Sequence, residues 1–379
     1  MDREKARFSP RRALFPAGYY AANAVYQGYM SLFYTGIGFD SARLGGVSAA
    51  TAAAAMIAQP GWGLLGDRAK SRKRLLCVLC LFAAAALPLA LLNPAFWAQI
   101  LAAALFYAFF CALLPLGDAI LLEADGGAFG GYRLAGGASF ALSGAIFGAL
   151  LGRVGAAGAI WGTAGLLVLT ALAALLLPDA PGKQKHERIT MGRLLKDRDL
   201  VRMLIFLLPV QMTMGFFYTF YAPHFKALGG GDAMLGLGYL LSAISEAPYL
   251  LLSGRIYRRF GAARPMCFSA LVLAARWLML GLAPSAGVAL ASQLLHGGGF
   301  IVMTVSMAYW IADHVAPELR ATGQGLLNMV TFGAARILGN LGGGLLAQAT
   351  GRDSAFLVGA GVCVLALCVF APWAFKRKE

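Results

Sequence analysis

Four ionisable residues interrupt long apolar stretches in the second half of the chain: Glu246, Arg276, His296 and Arg336. A charge at the centre of a membrane helix costs about 2.5–3.5 kcal/mol on insertion scales, so each must pair with another group or face water. One carboxylate, one imidazole and two guanidinium groups can offset one another, and the chemistry they offer together is proton exchange. Burial and a neighbouring arginine act in opposite senses on the proton affinity of a carboxyl group. A glutamate that alternates between wet and dry, or between paired and unpaired, therefore loads and releases a proton near neutral pH. For Glu246 three readings stay open: a proton site, a static ion pair with Arg276, or direct contact with a solute. His296 reads equally as a proton or solute group and as a plain hydrogen bond between helices. Arg336 can hold an anionic solute, neutralise Glu246, or stretch its stem toward the interface.

A second set is polar without being charged. The stretch Ala13–Gly38 carries Tyr19, Tyr20, Asn23, Tyr26, Gln27, Tyr29 and Tyr34, more polar groups than a lipid-facing helix needs. Tyr19, Asn23, Tyr26 and Gln27 recur at helical spacing, so one face of that helix is polar and suited to lining a cavity. An interfacial aromatic belt is the alternative for Tyr34, and for Tyr19 and Tyr20. Solute contacts are expected from Tyr19, Asn23, Tyr26 and Gln27, joined by Gln211, Tyr218, Tyr249 and Asn328. The first half has no charge at mid-depth, which suggests that one half handles protons while the other mainly binds solute.

The elements that must position these groups are membrane helices. Of 379 residues, 59% are hydrophobic and only 13% charged, with mean hydropathy +0.70; a soluble chain carries roughly a quarter charged residues. The apolar runs are close to the ~20 residues that cross a bilayer core. Expected spans are 13–38, 44–66, 75–92, 96–122, 134–152, 160–177, 203–223, 234–254, 265–282, 288–311, 323–346 and 355–375. With both termini cytoplasmic, the net charge of +15 is mostly topology: the far side keeps only Arg43, Arg153, Lys226 and Arg352, as the positive-inside rule requires. No basic patch is left over for nucleic acid. Cys77-x-x-Cys80 lies in an apolar run and reads as packing, and no His/Cys cluster calls for a metal or cofactor. The basic N-terminal segment reads as the flank of an anchor helix and not as a removed signal.

Polar, charged residues 178–202 separate an N-terminal half, 1–177, from a C-terminal half, 203–379. The second half repeats the first at one constant offset. Ala42, Leu44 and Gly45 fall on Ala233, Leu235 and Gly236, Gly63 on Gly254, and Gly148 and Gly152 on Gly339 and Gly343. Parallel repeats of this kind build transporters around a midplane site, and the spaced glycines permit close helix crossings.

The stretch Gly63-Leu-Leu-Gly-Asp67-Arg68-Ala-Lys-Ser-Arg72-Lys73-Arg74 resembles the signature loop between the second and third helices of the major facilitator superfamily. Pro115-Leu-Gly-Asp118, Tyr132-Arg133-Leu-Ala-Gly136-Gly-Ala-Ser139 and Leu319-Arg320-Ala-Thr-Gly323-Gln324-Gly325 are similar to the phenylpropionate permease and nucleoside symporter branch. Glu246, Arg276 and His296 resemble, in type and order, the proton-translocating set of the lactose permease, although Gly299 stands where that family has a further glutamate. The resemblance implies an all-α membrane protein with twelve transmembrane helices in two pseudo-symmetric six-helix bundles, placed in the plasma (inner) membrane. It assigns Glu246, Arg276 and His296 to proton coupling, to which the mid-span position of Arg336 adds a fourth candidate, and it places Gly63, Asp67, Arg68, Arg72, Asp118, Arg133 and Arg320 at cytoplasmic gating, with ordinary loop solvation as the alternative for the latter. The implied activity is proton-coupled uptake of a small polar organic solute, such as a glycoside, nucleoside or aromatic carboxylate, by alternating access. The partners are that solute, protons and the bilayer, and the protein is expected to act as a monomer. Proton-coupled export of an amphipathic drug-like compound is the alternative; the fifth span lacks the Gly-Pro pair usual in such antiporters. An intramembrane enzyme is not expected, because His296 has no evident nucleophile partner.

Overall fold

The computed structural model describes residues 8–179, 181–182, 191–316 and 319–376, and these are almost entirely helical. Both extreme termini, expected on the cytoplasmic side, and much of the 178–202 segment lie outside the described residues. The helices are α1 (Pro10–Gly36), α2 (Ser41–Arg68), α3 (Arg72–Ala86), α4 (Phe96–Phe110), α5 (Leu113–Asp125), α6 (Phe129–Val154) and α7 (Gly158–Ala174). They continue as α8 (Arg198–Ala227), α9 (Asp232–Phe260), α10 (Ala263–Gly281), α11 (Ala286–Ala291), α12 (His296–His314), α13 (Arg320–Asn328), α14 (Ala335–Thr350) and α15 (Arg352–Lys376). Local chemistry sets several boundaries. Ser71 caps α3 by accepting from the Arg74 N–H, and Asp197 caps α8 by accepting from the N–H groups of Asp199 and Leu200, as short polar side chains do at helix starts. Gly261, at φ +68°, stops α9 in a conformation that favours glycine.

Seven stretches of the described residues are long and apolar enough to cross a membrane: Arg72–Leu91, Phe96–Val154, Arg198–Ala227, Asp232–Phe260, Ala263–Gly281, Ala286–His314 and Arg352–Lys376. Helices α1 and α2 are 27 and 28 residues long, but the tyrosines and amides of α1 and the small and polar residues of α2 lower their hydropathy. Large apolar side chains point outward, with Leu251 85% and Val369 75% exposed. That is how helices meet lipid, since without water between them there is no drive to hide leucine from hydrocarbon.

The chain divides into two compact units, residues 1–39 with 50–186, and residues 40–49 with 187–379. In the first, α1 packs against α6 and α7, and α3 against α7 and α4. In the second, α10 packs against α15 and α12, α8 against α14 and α15, and α9 against α12. The start of α2 also belongs here: the Ser41 N–H donates to Gln348 Oε1 at 3.1 Å, and Gly45 approaches the Asn340 carbonyl so closely that a Cβ would sit 2.3 Å from it. Glycine serves the same purpose where α14 crosses α8. A Cβ at Gly339 would lie 2.1 Å from the Met212 carbonyl oxygen, and one at Gly343 2.5 Å from the Phe216 ring.

Four expected spans are not single α-helices. The span 75–92 leaves α3 at Ala86 and ends in a 3₁₀ turn, Leu87–Leu91. Cys111 and Ala112 divide 96–122 into α4 and α5. A 3₁₀ turn, Ser292–Leu295, separates α11 from α12. A π-helical turn, Met329–Ala334, joins α13 to α14. Such irregular turns within membrane helices commonly mark functional regions.

Candidate proton and solute site

The second unit brings three of the four charged candidates into one hydrogen-bonded set. His296 is the first residue of α12, and Gly297, Gly298 and Gly299 follow it. The lack of side chains there lets α12 press onto its neighbours: a Cβ at Gly297 would lie 2.1 Å from the Ser245 carbonyl oxygen and 2.8 Å from Glu246 Cα. The Gly297 N–H donates to Ser245 Oγ at 2.9 Å, and Ser269 Oγ donates to the Gly298 carbonyl at 3.0 Å. This close crossing sets the imidazole beside α9, with His296 Nε2 3.3 Å from Glu246 Oε1 and 3.3 Å from Tyr218 Oη.

Arg276 approaches the other ring nitrogen. Its Nη1 lies 2.8 Å from His296 Nδ1, and its Nη2 donates to Gln293 Oε1 at 2.7 Å. The side chain is fully buried, with its guanidinium 4.0 Å from the Phe217 ring centroid and 5.3 Å from that of Trp277. Aromatic faces supply negative potential to a cation where no carboxylate is at hand. The direct ion pair between Glu246 and Arg276, one of the readings left open, is not formed: the imidazole stands between them. Arg336 lies over the Tyr218 ring at 4.1 Å, so Tyr218 connects the fourth charged candidate to the set. Glu246 is the more open member of the histidine–glutamate pair, its side chain 27% exposed against 4% for His296.

Of the polar candidates in this unit, Gln211 is buried with its amide 3.8 Å from Met303 Sδ, and the Tyr249 hydroxyl lies against Gly298. Asn328 ends α13, is exposed, and among the described residues takes no part in the set around His296. Gln293 and the Thr219–Asn340 hydrogen bond at 2.9 Å escaped the sequence reading, because each stands apart from the helical spacing that singled out the face of α1.

In the first unit the polar face of α1 meets the aromatic face of α4. Tyr19 stacks on Phe110 at 5.0 Å, Tyr26 lies 4.6 Å from Phe106 and 5.9 Å from Tyr107, and Gln27 Nε2 donates to Asn23 Oδ1 at 2.9 Å. Tyr29 is a packing residue whose hydroxyl donates to the Gly144 carbonyl. Tyr34 corrects an expectation: it is 3% exposed and stacked on Phe39, which is a core position and not that of an interfacial belt.

The gating candidates fall in separate places. Asp118 on α5 pairs with Arg133 on α6 at 3.0 Å, and Arg133 also lies over Tyr20 at 5.8 Å. Arg72, buried at the start of α3, pairs with Glu123. Arg320 donates to the Val315 carbonyl just past α12. The turn holding Asp67 and Arg68 receives the chain after α7: the Gly182 N–H donates to the Ala69 carbonyl at 2.9 Å, and Ser71 Oγ donates to Asp179. Gly63 makes no close approach, since a Cβ there would meet nothing within 4 Å. Gly66, one turn later, is the position where space is needed, with Leu116 Cδ2 at 2.5 Å from such a Cβ. The sequence reading missed a network at the start of α1. Arg12 pairs with Asp125, Tyr132 Oη donates to Asp125 at 2.7 Å, and the Ser9 N–H donates to that hydroxyl. Arg12 and Ser9 lie more than a hundred residues from Asp125 and Tyr132 in sequence, so no local pattern announces the contact. Among the described residues no group of three or more His, Cys, Asp or Glu side chains is placed to hold a metal.

The sequence matches the MFS_1 like family over residues 15–358. The chain belongs to that family. This MFS_1 like protein is a multi-pass membrane transporter, and not an enzyme, within the major facilitator superfamily. It is 27% identical over 321 residues to the maltose permease of Geobacillus stearothermophilus, covering 82% of this chain and 80% of that one. It is 25% identical over 350 residues to a protein of Escherichia coli named as a probable 3-phenylpropionic acid transporter, covering 88% and 90%. Among solved structures, the nucleoside transporter NupG shares the fold at a TM-score of 0.81 and 19% identity, covering 98% of this chain and 100% of that one.

Proposed function

We propose that this MFS_1 like protein is a proton-coupled symporter that takes up a small polar organic solute by alternating access. The observation that carries this reading is the placement of Glu246, a half-buried carboxylate, against an imidazole that is itself held by a buried arginine. A static fold gains little from this arrangement, since apolar residues of similar volume commonly stabilise as well as a buried charged set. A transport cycle that must load and unload a proton requires it.

Glycosides, nucleosides and aromatic carboxylates are the solute classes in view. The names of the relatives, maltose permease and 3-phenylpropionic acid transporter, support the first and last. With His296 neutral, Glu246, Arg276 and Arg336 carry one surplus positive charge, which suits a carboxylate. The rings of Tyr19, Tyr26 and Phe106 with the Asn23–Gln27 amides suit a flat or hydroxyl-rich ligand. Twelve membrane helices in two six-helix bundles, an inner-membrane location with both termini cytoplasmic, a monomeric state, and gating by Asp67, Arg68, Arg72, Asp118, Arg133 and Arg320 complete the proposal.

A thermal-shift screen of sugars, nucleosides and aromatic acids on the purified protein identifies the solute, because a ligand of the native state raises its melting point. The hit is then assayed in proteoliposomes with and without a pH gradient, and in right-side-out against inverted vesicles. Glu246→Gln is expected to retain binding and lose gradient-driven accumulation; undiminished uphill uptake by that variant would sink the proposal.

A further inference from the structure

We infer that Arg276 holds His296 as a neutral imidazole with its hydrogen on Nε2, so that the exchanged proton resides on Glu246 and His296 only positions it. The inference rests on the proton-coupled reading for its transport consequence, but its structural half stands alone.

The reasoning is one of donors and acceptors. A guanidinium has five N–H donors and no acceptor, and remains charged at any ordinary pH. Arg276 Nη1 lies 2.8 Å from His296 Nδ1, so Nδ1 must present its lone pair. The single ring hydrogen of the neutral form then sits on Nε2, which faces Glu246 Oε1 and Tyr218 Oη, each at 3.3 Å. Both can accept. Adding a second proton would place it on Nδ1, setting N–H against N–H across 2.8 Å and one positive charge against another.

Arg276 is not free to turn aside. Its second terminal nitrogen donates to Gln293 Oε1 at 2.7 Å, and its plane is held over Phe217. The groups facing His296 come from every neighbouring element: Tyr218 from α8, Glu246 from α9, Arg276 from α10, Gln293 from the 3₁₀ turn before α12, and Arg336 from α14, over Tyr218. Of these only Glu246 favours a cationic ring, against two arginines that oppose it, and the ring itself is buried. The charge change of the cycle is therefore confined to one atom pair. Glu246 carboxylate takes a proton and becomes the carboxylic acid, while the Nε2–H of His296 still donates to its remaining oxygen lone pairs. Arg276 and His296 are positioning residues for that event.

The test reads the ring directly. Full-length protein with ¹⁵N-labelled histidine is reconstituted in nanodiscs, and the His296 signals are assigned by their loss in His296→Gln. Wild-type signals should keep the unequal pair typical of a neutral ring, with hydrogen on Nε2, from about pH 5.5 to 8, a range across which free histidine titrates near 6.5. In Arg276→Gln the same signals should titrate within that range, and in Arg276→Lys, which keeps a charged donor, they should not. An imidazolium signature in the wild type near neutral pH, or hydrogen on Nδ1, overturns the inference. In proteoliposomes His296→Gln, whose amide can accept from Arg276 and donate to Glu246, should slow uptake by about tenfold or less, the worth of one hydrogen bond, and remain gradient-driven. Complete loss of coupling in that variant with binding retained would mean that histidine carries the proton. If wild-type uptake ignores the pH gradient, the symport proposal fails while the spectroscopic assignment of the tautomer stands.

Discussion

Gly297 and Ser245 meet backbone to backbone, with the Gly297 N–H donating to Ser245 Oγ at 2.9 Å and no room for a Cβ before the Ser245 carbonyl. Gly297→Ala must push α12 off α9, and overpacking of this kind costs about 1–3 kcal/mol. Because the same shift carries His296 away from Glu246, transport should fall further than the loss of melting temperature accounts for. Thermal unfolding and uptake measured side by side check this.

The Arg12–Asp125 pair closes the start of α1 onto the α5–α6 connection, with side chains 32% and 10% exposed. That burial lies between exposed pairs, worth about 0–1 kcal/mol, and fully buried ones, whose breakage costs about 3–5 kcal/mol. A double-mutant cycle with Arg12→Gln and Asp125→Asn should give a coupling energy of about 1–2 kcal/mol, with Asp125→Asn the more damaging single change because Tyr132 also depends on it. A coupling near zero would mean that the two ends are held by other contacts.

How much of this was legible in the sequence depends on the range of the contact. Helical stretches were readable because apolar length acts locally, whereas the Asp197 cap went unread and α8 starts at Arg198, inside the segment expected to be linker. The four charges in the second half stood out because ionised groups are rare in such runs. What the reading could not supply was their order in space. The expected neighbours Glu246 and Arg276 are separated by His296, and Gln293, which anchors Arg276, has no charge to draw the eye. The turns at Ser292–Leu295 and Met329–Ala334 contain no proline and depend on packing against other helices. The break at Cys111–Ala112 is local, because Pro115 offers no N–H to the Cys111 carbonyl and its ring crowds it. At Gly63 spacing identified a glycine-rich helix end, but the neighbour that demands space, Leu116, faces Gly66.

Thr213 accepts from the buried Trp277 Nε1–H at 2.9 Å while donating to the Val210 carbonyl. Thr213→Val keeps the shape and leaves the indole N–H only the weak Cys363 thiol as acceptor, which should lower stability by about 1 kcal/mol. Adding Trp277→Phe removes that donor, so the double variant should be less unstable than the sum of the two changes. Thermal unfolding of the three proteins decides it.

Asp118 and Arg133 form a more open pair, Arg133 being 45% exposed. Asp118→Asn should change stability by no more than about 1 kcal/mol. If the pair belongs to a gate, the variant should bind solute with unchanged affinity in thermal-shift titrations and alter the initial rate of uptake several-fold. Unchanged rates would assign the pair to ordinary solvation.

The π-helical turn at Met329–Ala334 holds one residue more than an α-helix would use over the same rise, and an α-helical residue advances the phase by about 100°. The wide turn absorbs that extra residue, so the helix beyond it keeps the phase it would have had without the insertion. Excising a single residue from the turn would leave one straight helix with Arg336 still over the Tyr218 ring, whereas an excision within α14 before Gly339 would rotate Gly339 and Gly343 away from α8. A one-residue change of length is thus tolerated at this turn and nowhere else along the helix.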